Sequence, residues 1–192
     1  YATAGHNSID TKGGNVTVTG SGKSGHGMHA DSSGSNKITS IDGGITVTGQ
    51  AENYGYGMYA NNSGQNTIET QNGSIAVSSS GSGVGIHAVH ATGAGSTNTI
   101  KGGAESNITL ESAKEVLNVQ NGGKNIVTGG DIHVQATAGN STAVYATGPG
   151  SENSVDAQKS VTITSNMHGV SANDGGHNSI KGNDISIKAG NN

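Results

Sequence analysis

Apolar residues in this 192-residue chain fall into three short motifs that return at a nearly constant interval. The first is an Asn-x-Ile/Val triplet, found at Asn7-Ser8-Ile9, Asn36-Lys37-Ile38, Asn66-Thr67-Ile68, Asn98-Thr99-Ile100, Asn125-Ile126-Val127, Asn153-Ser154-Val155 and Asn178-Ser179-Ile180. Successive triplets are 29, 30, 32, 27, 28 and 25 residues apart. A second run follows each one, from Val16-Thr17-Val18 and Ile45-Thr46-Val47 through Ile108-Thr109-Leu110 to Ile185-Ser186-Ile187. It alternates apolar with small polar residues at period two, the signature of a strand with one buried face. The third motif reads Gly27-Met28-His29-Ala30, Gly57-Met58-Tyr59-Ala60, Gly85-Ile86-His87-Ala88, Leu117-Asn118-Val119, Ala143-Val144-Tyr145-Ala146 and Gly169-Val170-Ser171-Ala172, with Tyr1-Ala2 as the tail of one more.

Each unit thus carries three short strands separated by Gly/Ser/Asn turns, and no unit carries a helical i, i+3, i+4 stripe. Glu111 to Val119 reads as a variant turn and strand. Strands this short bury nothing alone; stacking successive units places each strand beside its equivalent and encloses a narrow interior. The pattern predicts an all-β fold: a parallel β-helix of about seven three-strand coils of 25–32 residues, rising ~4.8 Å per coil and so roughly 30–35 Å long. Ile9, Val16, Val18, Met28 and Ala30 are the inward positions of the first unit. The largest turn insertion is expected at Val89 to Thr97. Residues 1–192 form a single solenoid segment, expected to be a fragment of a longer one because neither end carries a polar cap.

Composition refines this picture. Glycine, at 34 residues, is about 18% of the chain against a typical ~7%, and the charged share of 11% compares with ~25% in ordinary globular proteins. Both follow from tight turns around a thin interior. Nine Lys, no Arg and thirteen acids give a net charge of −4, the wrong sign for nucleic acid or an anionic membrane surface. With no Cys, thiolate chemistry and disulfides are excluded. No apolar run approaches the ~18 residues of a membrane-spanning helix, so this segment is not expected to insert directly into a membrane.

The units Gly57-Met58-Tyr59-Ala60-Asn61-Asn62-Ser63-Gly64-Gln65-Asn66-Thr67-Ile68 and Ala91-Thr92-Gly93-Ala94-Gly95-Ser96-Thr97-Asn98-Thr99-Ile100 resemble the degenerate repeats of bacterial autotransporter passenger domains. The resemblance covers nearly the whole chain. It implies a right-handed β-helix at the bacterial cell surface or secreted, exported with the help of a separate C-terminal outer-membrane barrel. It also implies roles in cell adhesion, aggregation and virulence, or service as a stalk. The partners expected are a host-cell surface protein or glycan, or a second rod.

Two sets of residues stand out as candidates. Seven Asn, at 7, 36, 66, 98, 125, 153 and 178, are expected to form a structural ladder at a solenoid corner, in a turn or left-handed conformation with amides bonded from coil to coil. The outward column of the third strand, Tyr1, His29, Tyr59, His87 and Tyr145, continued through Asn118 and Ser171, is the candidate binding face, with Tyr54 and Tyr56 in the turn beside it. No metal site is expected, because the His are spread along the rod whereas zinc needs three or four converging ligands. Nor is a cofactor or a catalytic residue expected. β-Helical enzymes acting on acidic polysaccharides, the remote alternative, need clustered carboxylates or basic groups, and here Asp10, Asp42, Glu69, Glu111, Asp131, Asp156 and Asp184 are scattered. Outward Thr17/Thr19 and Thr46/Thr48 begin an ice-binding pattern that decays after two coils.

Overall fold

A computed structural model describes residues 1–190. Those residues form twenty-one strands and no helix. Every third strand pairs in parallel with its equivalent, giving three seven-stranded sheets in a β-solenoid. Sheet A runs from Ala2–Thr3 through His26–Asp31 and Tyr54–Asn61 to His168–Asn173; sheet B carries the Asn triplets, and sheet C the alternating second runs. The chain makes six complete turns between the first and last strands of sheet A, and two further strands begin a seventh.

Register follows the sequence motifs. Asn7 pairs with Asn36, Asn36 with Asn66, Asn66 with Asn98, and so on to Asn153 with Asn178. The core is a column of aliphatics from all three sheets, with Ile68, Ile100, Leu110, Ile132 and Ile163 fully buried beside Met58. A separate line of small side chains, Ala60, Ala91, Val119 and Ala146, fills the corner where sheet A turns into sheet B. Burial at each layer requires a coil on both sides. Ile9, expected inward, is therefore 45% exposed in the first coil, as Ile187 is 48% exposed in the last, and Val16 and Val18 are half-buried.

Two expectations change. The third coil has only a one-residue insertion between Val89 and Thr97: Val89 to Thr92 lie within the strand Gly85–Thr92, and the coil's extra length is shared as one residue in each of the turns flanking that strand. The ladder asparagines occupy extended strand backbone rather than left-handed corners. Left-handed residues stand instead in the turn from sheet A to sheet B, at Ala4, Ser32, Ser33, Asn62, Ser63, Asn121 and Asp174, with glycine taking the position at Gly93 and Gly148.

The strands of sheet A bend at Gly57 and at its register equivalents Gly27 and Ala88. At Gly57 the strand bends, so that Tyr56 and Tyr59, three residues apart, both face outward while Met58 and Ala60 face the core. A Cβ on Gly57 would stand 2.5 Å from Val77 Cγ1 and 2.7 Å from the carbonyl oxygen of Ala88. Because one of these neighbours is backbone and the other a stiff β-branched side chain, Gly57→Ala is expected to cost about 1–3 kcal/mol by overpacking. Thermal unfolding measures it, and an unchanged midpoint would show that the bend does not depend on this contact.

Candidate functional site

The bend repeats in three successive coils and builds one cluster. His26 and His29, Tyr56 and Tyr59, and His87 and His90 are i, i+3 pairs on the outward face of sheet A, and Tyr1 caps the first of them. Tyr56 stacks on His26 at 4.9 Å between ring centroids, on His87 at 5.4 Å and on His90 at 5.2 Å. Tyr59 packs on His29 at 4.7 Å and on His90 at 5.4 Å, and Tyr1 meets His29 edge-on at 4.6 Å. Seven rings thus form a double ladder along the rod axis. Aromatic contacts of this kind contribute about 0.5–1.5 kcal/mol each beyond burial.

Sheet register corrects one member of the expected column. Tyr59 pairs with His90, and His87 pairs with Tyr56. His29 pairs with Tyr59, and Asn118 pairs with His90 and then Tyr145. The first column is therefore Tyr1, His29, Tyr59, His90, Asn118, Tyr145 and Ser171. His87 stands in a second column, after His26 and Tyr56. The spacing to the following ladder asparagine distinguishes the two: Ala30, Ala60, Val119 and Ala172 precede their Asn by six residues, Ala91 and Ala146 by seven, whereas Ala88 would precede Asn98 by ten.

The asparagine ladder is continuous and coupled to that column. Each amide from Asn7 to Asn153 donates one N–H to the side-chain oxygen of the next coil's Asn, at 2.8 Å from Asn7 to Asn36, 2.9 Å from Asn66 to Asn98 and 3.1 Å from Asn125 to Asn153. The other N–H goes to a backbone carbonyl of sheet A. The acceptors are Tyr1, His29, Tyr59, His90, Asn118, Tyr145 and Ser171, each within 2.7–3.0 Å. These are the members of the first column, one per coil. An amide has two donors and one oxygen to satisfy when buried, and this geometry satisfies all three while fixing the backbone under every column residue.

The stacked ring ladder ends at the fourth coil. There Asn118 faces His90, and Glu115 brings its carboxylate to 3.0 Å from His87 Nδ1, close enough for ion pairing but without hydrogen-bond alignment. The Nδ1 atoms of His26, His87 and His90 are buried with no hydrogen-bond partner. His90, His87 and Tyr56 are only 6%, 7% and 9% exposed; the ring faces are spent largely on one another. Exposed aromatic surface is found at the flanks, on Tyr1 and Tyr54, and Tyr145 is half-exposed.

Burial dominates the electrostatics of this face. It pushes the His26 imidazole down to about 4, with His29 adding to the effect. It takes His90 to about 3, with His87 contributing. His29 also lies below the ordinary histidine value because it is buried, although Asn61 and Asp31 oppose the shift. Tyr56 is raised to about 12, again by burial first and then by Tyr59 and Tyr54. Burial alone would raise Glu115, but the His87 ring outweighs it and holds the carboxyl below its ordinary value.

Elsewhere the surface is shallow. A depression of about 440 Å³ at the sheet B edge is lined by Asp10, Thr39, Ile41 and Glu69 among others, and Asp10 is held ionised by the Thr39 and Ser8 hydroxyls. Among the described residues no group of three or more His, Asp or Glu converges on a point. Ion pairs such as Lys101–Glu69 and Lys124–Glu152, at 2.9 and 3.1 Å, link adjacent coils on sheet B. No protein-family model, curated protein or solved structure matches this chain.

Proposed function

We propose that this chain is a segment of a bacterial surface-exposed or secreted β-helical passenger that contacts a host-cell protein or glycan, or a second rod, through the outward face of sheet A. The observation that supports this reading is the in-register column of Tyr1, His29, Tyr59, His90 and Tyr145, flanked by exposed Tyr54. Aromatic side chains with a polar tip are enriched in interfaces. Repetition at the coil spacing makes such a face multivalent, so weak single contacts combine into useful avidity. The test uses flank residues, since Tyr59 is packed in the ladder. Tyr54→Ser combined with Tyr145→Ser is expected to leave unfolding unchanged and to lower binding to cells or to a glycan array about tenfold or more. Undiminished binding would remove sheet A as the contact face.

A second reading, an inert stalk, is favoured by the way the ladder rings cover one another and leave mostly edges to solvent. In that case the rod contributes length, ~4.8 Å per coil, and purified protein binds neither cells, glycans nor itself.

A further inference from the structure

Four of the seven ladder rings are imidazoles, and two of them, His26 and His90, are held where a charge has no carboxylate beside it. His87 and His90 lie 5.1 Å apart between centroids, as do His26 and His29. Three of the four bury an Nδ1 without a hydrogen bond. We infer that the double ladder is a proton-operated latch: uncharged imidazoles close the first three coils of sheet A, and mild acid weakens that closure because opening frees the imidazoles to take up protons that the stacked ladder resists. The latch acts whatever the rod touches, and so does not depend on the adhesive reading.

The surrounding groups leave the added charge poorly compensated. Next to the first strand Tyr1 packs its ring edge-on against His29. The strand His26–Asp31 supplies Asp31, a carboxylate felt by both His29 and Tyr59. Tyr54, Tyr56 and Tyr59 come from the next strand, and burial raises the hydroxyls of Tyr56 and Tyr59 above the ordinary tyrosine value. Before the fourth coil, Glu115 approaches His87 while Lys114 adds a positive charge beside it. Full protonation adds four positive charges against two carboxylates, Asp31 and Glu115. Glu115 can serve His87, whereas His90 has only Asn118 beyond it.

The direction of the effect follows from linkage. His26 and His90 titrate near 4 and 3 when folded, against about 6.5 when unfolded. Between those values the unfolded chain binds more protons, so the stabilisation is complete above about pH 6.5 and is lost as pH falls below it.

The experiment is thermal unfolding of the described chain at pH 7.5 and pH 5.0, wild type against His26→Tyr/His90→Asn. These substitutions place in each column a residue the same column already carries, Tyr56 and Asn118. Wild type is expected to lose about 8–15 °C at pH 5.0, the double variant less than half of that, and the exposed-site control His133→Gln as much as wild type. An equal loss in wild type and double variant, or no loss in wild type, overturns the latch. Should the double variant fail to fold at pH 7.5, histidine NMR titration of the wild type decides. His26 and His90 resonances unchanged down to pH 5 support the latch, and ordinary titration near pH 6.5 overturns it.

Discussion

Replacing Asn66 by Ala is expected to lower stability by about 2–5 kcal/mol, because it breaks the ladder at mid-stack and leaves two buried groups without partners. Asn66 is 1% exposed. It accepts from Asn36 at 2.9 Å and donates to the Tyr59 carbonyl at 2.7 Å and to Asn98 at 2.9 Å. The truncation therefore orphans one N–H of Asn36 and the side-chain oxygen of Asn98, and takes one of its donors from the Tyr59 carbonyl. Asn66→Asp serves as the companion variant: its shape is retained and its oxygens still accept from Asn36, but both donors are gone and a charge is buried. Chemical denaturation should place both variants well below wild type. An Asn66→Ala curve that overlays wild type would mean that water or backbone adjustment replaces the ladder at no cost.

Leu110→Ala is expected to be the most damaging truncation in the interior, again by about 2–5 kcal/mol. Leu110 is fully buried in sheet C between Val77 and Val134 of the adjacent coils. A cavity there has closely packed strands above and below it that cannot collapse inward, because their spacing is set by the hydrogen-bond ladder. Ile187, in the equivalent column of the last coil, is 48% exposed, and Ile187→Ala should cost less than about 1 kcal/mol. The measurement is the pair of unfolding free energies. Equal losses at the two positions would refute the view that each coil is stabilised by the coils on either side of it.

Much of this was legible in the sequence, for identifiable reasons. The triplet asparagines mark their own register because each must meet its equivalent to satisfy a buried amide, so a slip of one residue is unaffordable. The alternation in Val16-Thr17-Val18 and its relatives marks a strand with a single buried face. The aromatic ladder was less legible, for two physical reasons. In the third coil both Gly85-Ile86-His87-Ala88 and Ala88-Val89-His90-Ala91 satisfy the same small-apolar-ring-Ala pattern, and the strand is long enough to contain both. The distance back from Asn98 resolves the choice, since the turn between sheets A and B varies by only two residues while the turn before sheet A varies more. The second column was hidden more deeply. Period-two alternation places Tyr56 on the same side as Met58, and only the bend at Gly57 turns it outward, so His26, Tyr56 and His87 read as turn residues until that bend is seen. The exposure of Ile9 has another source: alternation assigns a face, and burial also needs a neighbouring coil.

The asparagine ladder has a direction. Each amide from Asn7 to Asn153 points an N–H toward the next coil, and each from Asn36 to Asn178 receives on its oxygen from the previous one, so the upper and lower sides of a coil are chemically different and complementary. Any coil's donor side fits any other coil's acceptor side. Such a rod changes length only in whole units: gain or loss of one complete repeat rejoins the ladder seamlessly, while a partial one breaks it. Gene segments encoding single turns are thereby the natural currency of its evolution, and the spread of coil lengths from 25 to 32 residues is variation confined to places where that rule does not reach.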